Sequence, residues 1–189
     1  MARSRPVDGP HTRAYERKML KIGDRAPDFR LEGDDGKTHT LKEFSGKNLI
    51  LYFYQRDATP GCTVEACEFR AHRAALGKKD AVVVGVSPDK VATHQKWQAK
   101  ERFGFLLLSD PDHEAASAYG AWGEKVLYGR KFMGLIRSTF VIDPAGKLRR
   151  AQYKVSPKGH AADLLAELSG KSPPAAPAKK KAAAKQARE

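Results

Sequence analysis

Apolar residues show no periodicity over residues 1–21, and a domain-like pattern sets in at Ile22. Phe29 and Leu31 alternate with polar neighbours, Asp34-Asp35-Gly36 marks a turn, and Thr38 to Leu41 resumes the alternation, which predicts an N-terminal β-hairpin. Asn48 to Gln55 is a nearly continuous apolar run, the signature of a strand covered on both faces, and Thr59-Pro60-Gly61 breaks it. Val64, Cys67, Ala71, Ala75 and Leu76 then recur near helical spacing, with Gly77 as the stop. Ala81 to Val86 is a second buried strand. A helical stretch from Lys90 to Phe103, a strand from Phe105 to Leu108 and a short helix from Asp112 to Tyr119 follow. Ser138 to Ile142 and Lys147 to Tyr153 flank Asp143-Pro144-Ala145-Gly146, a second hairpin signal, and Lys158 to Leu168 is a closing amphipathic helix. Strands alternating with helices, then a hairpin and a helix, predict an α/β sandwich.

The chain divides into a basic N-terminal arm (1–21), one domain (22–170) and a low-complexity basic tail (171–189) expected to be disordered, with Pro173, Pro174 and Pro177 followed by alternating Ala and Lys. The formal net charge of +13 changes the picture less than its size suggests, because the arm carries +4 and the tail +5, leaving +4 on the domain. The domain has no basic stripe interleaved with aromatics, which argues against nucleic acid as a partner, although Lys179-Lys180-Lys181 could contact an anionic polymer. No apolar run approaches the roughly 20 residues of a membrane helix, and no apolar stretch follows the N-terminal arginines. A cytoplasmic protein is the expectation.

Only two cysteines are present, Cys62 and Cys67, too few and too close for a secreted disulfide scaffold. The six histidines are scattered without metal-ligand spacing, and the cysteine spacing differs from C-x-x-C. A pair of small buried hydrophobes on one helix is the plain alternative, but Thr-Pro-Gly directly before a cysteine is poor core-packing sequence. In the first turn of a helix, Cys62 faces unpaired N–H groups and the positive end of the dipole, which favour the nucleophilic thiolate. Gly61 allows close backbone approach to a ligand and Pro60 suits a helix start. On an ideal helix, residues five apart have Cα atoms roughly 8.7 Å apart, whereas a disulfide requires about 7 Å or less. If the two cysteines bond, the first turn or more of the helix must unwind.

Six segments in order resemble the peroxiredoxin Q group, also called bacterioferritin comigratory proteins, within the AhpC/TSA-like thiol peroxidases. They are Ile22 to Phe29, Thr59 to Arg70 (Thr-Pro-Gly-Cys-Thr-Val-Glu-Ala-Cys-Glu-Phe-Arg), Gly85 to Asp89 with Leu108 to Pro111, Tyr128 to Lys131, and Arg137 to Asp143. The resemblance implies a thioredoxin-like fold, a central mixed β-sheet flanked by helices. It implies reduction of hydrogen peroxide and organic hydroperoxides by Cys62 as peroxidatic nucleophile, with Cys67 as resolving cysteine and a Cys62–Cys67 disulfide. Thioredoxin or a similar dithiol would recycle the enzyme, with no cofactor, and a monomer is expected because resolution is intramolecular. Thr59 and Arg137 are assigned to the peroxide pocket, with Pro60, Gly61 and Glu65 as substrate-binding positions. Glu65 either orients Arg137 or complements the helix dipole. A general thiol–disulfide oxidoreductase is the competing reading, but it would need no pocket for a small polar oxidant. One departure stands out: the family usually has proline seven residues before the peroxidatic cysteine, and this chain has Gln55.

Overall fold

The computed structural model describes residues 19–170. Most of the arm and all of the tail expected from the sequence lie outside the described residues. Nine strands and four α-helices follow one another (β1 Arg30–Gly33, β2 Thr38–Thr40, β3 Asn48–Phe53, α1 Pro60–Gly77, β4 Ala81–Ser87, α2 Val91–Glu101, β5 Leu106–Ser109, α3 Glu114–Ala118, β6 Trp122–Leu127, β7 Arg130–Leu135, β8 Ser138–Ile142, β9 Leu148–Tyr153, α4 His160–Leu168). Seven strands form one mixed sheet in the order β2-β1-β5-β4-β3-β8-β9, and β6 and β7 pair separately. The central β3, β4 and β5 are parallel, while β8 joins β3 antiparallel on one side and β1 joins β5 antiparallel on the other.

The alternation of side chains along β3 explains its unbroken apolar run. Leu49, Leu51 and Phe53 enter a core shared with Phe29, Val84, Val86, Ala116, Tyr119 and Phe140, beneath α3 and the N-terminal segment. Ile50, Tyr52 and Tyr54 enter the opposite core with Phe69, Trp97, Phe103, Leu107 and Leu164, beneath α1, α2 and α4. A strand with helices on one side and a second core on the other has no polar face to show. Gly85 belongs to the same packing. A Cβ there would stand 2.9 Å from the Tyr52 ring and hydroxyl and 2.9 Å from Leu107, so only glycine lets Tyr52 lie across β4.

The β6–β7 hairpin is an addition to the elements read from the sequence. Its strands are largely exposed, with Val126, Tyr128, Phe132 and Met133 open to solvent, so hydrophobic alternation toward a core is missing. Its two-residue turn, Tyr128-Gly129, has both φ values positive (50° and 75°), the geometry that suits tight hairpins. The hairpin matters because β7 delivers Arg137 to the end of β3, where Phe53 pairs with Ser138.

Candidate active site

The loop from Gln55 to Thr59 links the carboxyl end of β3 to α1, the position at which open α/β sheets hold their ligands. It is strained and pinned. Ala58 sits at φ 57°, a left-handed conformation that costs a non-glycine residue on the order of 1 kcal/mol. Asp57 anchors it: the Tyr54 hydroxyl donates to one carboxylate oxygen at 2.7 Å and His94 Nδ1 meets the other at 2.7 Å. The Asp57 amide donates to Asp89 at 2.8 Å. His94 is fully buried, and its Nε2 lies 3.2 Å from the Leu108 carbonyl oxygen. A buried Asp–His pair thus ties the loop to α2.

Thr59 is the N-cap of α1 and Pro60 its first residue, which suits a ring that lacks an N–H where none is needed. The Thr59 hydroxyl makes no capping bond; it donates to the Arg56 carbonyl at 3.0 Å, holding the loop rather than the sulfur. Cys62 follows in the first turn and is buried. Its Sγ lies 3.2 Å from Arg137 Nη2. A Cβ on Gly61 would stand 3.6 Å from the same nitrogen, so the missing side chain leaves the space beside the guanidinium open.

Arg137 spreads its fork over three partners. Nη1 donates to Glu65 Oε2 in a short ion pair, and Nη2 donates to Cys62 Sγ and, at 2.6 Å, to Gln55 Oε1. Of the two positions considered for Glu65, the structure has it in contact with Arg137. The first turn of α1 contains no acidic residue, and Glu65, in the second turn, is buried against Arg137. Burial pushes its carboxyl up to about 7, and the guanidinium opposes that only in part. Its Oε1 and the nearby Tyr52 hydroxyl are buried without a hydrogen-bond partner among the described residues. Arg137 is held above its ordinary value by Glu65 and Cys62 despite its own burial, so it is a fixed cation facing the sulfur.

Cys67 stands on the same unbroken helix, half-buried at the edge of the core, and both thiols are free. The seven residues singled out in the sequence all belong to α1, its cap or the β7–β8 junction. The contact of Gln55 with Arg137 was not readable, although its place in the pattern marked it as unusual. A separate groove of about 560 Å³, lined by Ala26, Phe29, Phe44 and Pro144 among others, holds neither cysteine and lies away from this chemistry.

A model of the AhpC/TSA family matches residues 22–151. The chain belongs to the AhpC/TSA family. Within it, the chain is 44% identical over 153 residues to peroxiredoxin Bcp of Bacillus subtilis, covering 81% of this chain and 98% of that one. Its fold is similar to that of the Xanthomonas campestris bacterioferritin comigratory protein, with TM-score 0.72, 38% identity, and coverage of 75% of this chain and 90% of that chain. A mutant of Xylella fastidiosa PrxQ aligns with TM-score 0.75 and 34% identity over 80% of this chain and 96% of that one. The chain shares with these relatives the thioredoxin-like fold, a mixed sheet flanked by helices. Among the described residues no helix is long and apolar enough to cross a membrane.

Proposed function

We propose that the chain is a thiol peroxidase in which Cys62 reduces hydroperoxides and Cys67 resolves the product. The observation that carries this reading is the Cys62 sulfur in the first turn of α1, 3.2 Å from a permanently charged guanidinium. The thiolate attacks the terminal oxygen of ROOH, the O–O bond breaks, and the departing alkoxide or hydroxide takes a proton from solvent to leave as ROH or water. Arg137 holds the thiolate and lowers the cost of charge building on the leaving oxygen, an effect often worth 10²–10³ in rate per donor. Cys62 is left as sulfenic acid. After the N-terminal turns of α1 unwind, the Cys67 thiolate attacks that sulfur, closing the disulfide and expelling hydroxide, which takes a proton from solvent to become water. A dithiol such as thioredoxin then reduces it by exchange, becoming a disulfide itself.

The Xanthomonas relative, described for its alkyl peroxide reduction activity, supports organic hydroperoxides as substrates alongside hydrogen peroxide. An intramolecular resolving cysteine supports a monomer, since no second chain's thiol is needed, and a chain with only two cysteines, five apart, fits the cytoplasm. The test is peroxide consumption by the full chain with thioredoxin and its reductase. Wild type should turn over and Cys62→Ser should lose all turnover. A wild-type Cys62 that oxidises no faster than a free thiol would end the peroxidase reading.

A further inference from the structure

Cys62 is 1% exposed, so a hydroperoxide cannot reach the sulfur unless something yields. The group standing beside the sulfur is the side-chain amide of Gln55. Its Oε1 is 2.6 Å from Arg137 Nη2 and 3.7 Å from Cys62 Sγ, while Nη2 and Sγ are 3.2 Å apart. The three distances put the two bonds from Nη2 about 80° apart. They place an oxygen near the roughly 3–3.5 Å separation at which a reacting atom would approach the nucleophile. Guanidinium is a donor only, so the atom facing it is the amide oxygen, and that oxygen takes the N–H a peroxide oxygen would need. In this arrangement Oε1 can accept from the S–H of Cys62 but offers a thiolate nothing.

On the reading of Cys62 as peroxidatic, we propose that Gln55 is an internal stand-in for substrate. Its amide oxygen occupies the position of the reacting peroxide oxygen, and peroxide enters by displacing it from Arg137. Three features fit a side chain that yields. Gln55 is only half-buried, it is carried on the pinned loop rather than on β3, and its amide nitrogen makes no hydrogen bond to the described residues. Swinging out therefore breaks the bonds of one oxygen and leaves the loop in place. Displacement returns Arg137 a like partner, the substrate oxygen, so the fork changes occupants without being stripped. Gln55 acts on the reaction through access and through Arg137, and so governs the apparent affinity for every hydroperoxide.

If the occluded arrangement dominates the resting enzyme, the rate is reduced by the fraction of molecules that are open. The experiment uses the prereduced full chain carrying Cys67→Ser, so that only Cys62 can react. Loss of thiol is followed by quenched-flow alkylation and intact mass, with hydrogen peroxide and with tert-butyl hydroperoxide. Gln55→Ala and Gln55→Pro should raise the second-order rate constant about three- to tenfold, by a similar factor for both oxidants. Gln55→Glu, whose carboxylate binds Arg137 more tightly, should lower it by about tenfold or more. Opposite signs for removing and tightening one contact are the readout that a merely structural role would not give, since both changes would then slow the reaction. Gln55→Ala or Gln55→Pro reacting at or below the wild-type rate, with Cys62 still outpacing a free thiol, would overturn the stand-in role and leave the peroxidase intact. If wild type itself reacts no faster than a free thiol, the peroxidase reading falls and this one with it.

Discussion

Glu65 is the most informative single residue in the site, because it is a buried carboxyl with a cation on one oxygen and, among the described residues, no partner on the other. Its folded-state value of about 7 lies above the ordinary 4.5, so between those limits the folded chain holds a proton that the unfolded chain has released. The contribution of this group to stability is therefore fully present below pH 4.5 and is lost as pH rises through 7, with a slope of at most about 1.4 kcal/mol per pH unit. Urea unfolding across that window should show the decline in wild type and a flatter profile in Glu65→Gln. A contact between Glu65 and Arg137 was one of two alternatives that the sequence left open and could not decide. Glu65 and Arg137 are 72 residues apart, and either could as well have been a surface charge. Gln55 illustrates a different limit: its departure from the family pattern is visible in one line of sequence, but only coordinates show which atoms it meets.

At the scale of elements, the loop and α1 have opposite duties. The loop must stay still, and the Asp57–His94 pair holds its strained backbone down. His94→Leu would leave one oxygen of the buried Asp57 carboxyl without its hydrogen-bond partner, which should cost about 1–3 kcal/mol in denaturant unfolding. α1 must instead come apart at one end. Glu65 lies between the two cysteines, so bringing Cys67 to Cys62 also withdraws Glu65 from Arg137. Just beyond Cys67, Glu68 accepts from the Gly159 amide at 2.9 Å with both carboxylate oxygens, a tether to the start of α4 that limits how far unwinding spreads. Stoichiometric peroxide should therefore lower the far-UV helical signal of wild type by about two turns' worth, and Cys67→Ser, unable to close the disulfide, should keep its helix. An unchanged spectrum in a wild-type chain that has formed the disulfide would contradict this account of α1. The start of this helix was legible from Thr59-Pro60-Gly61 and its apolar spacing. The β6–β7 strands were not, because they are exposed and give no core-facing period.

For the molecule as a whole, the decisive fact is that one sheet separates two cores and only one of them contains the chemistry. Cys62, Tyr52 and Phe69 share the helical side, whereas Phe140 lies with Phe53 and Tyr119 on the other. Phe140 is fully buried and meets Phe53, Tyr119 and Tyr153 edge-on or nearly so. Phe140→Ala should cost about 3–5 kcal/mol of stability while the folded fraction keeps its Cys62 oxidation rate, which denaturant titration and single-turnover kinetics would separate. This division also explains why the fold was legible in outline. The continuous run of β3 announced a strand covered on both sides, and its alternation decided which residues would face the sulfur.

The unbroken helix between the two sulfurs has a further consequence, which concerns voltage. Whatever free energy favours the folded N-terminal turns of α1 in the reduced chain is given up when the disulfide forms and returned when it is reduced. Helix stability is thus a component of the reduction potential, about 30 mV for each 1.4 kcal/mol in a two-electron couple. A firmer α1 makes the disulfide the more oxidising partner and widens the set of dithiols able to reduce it. A looser one narrows that set. The choice of electron donor is in this sense written into helix propensity, at positions that need never touch the donor at all.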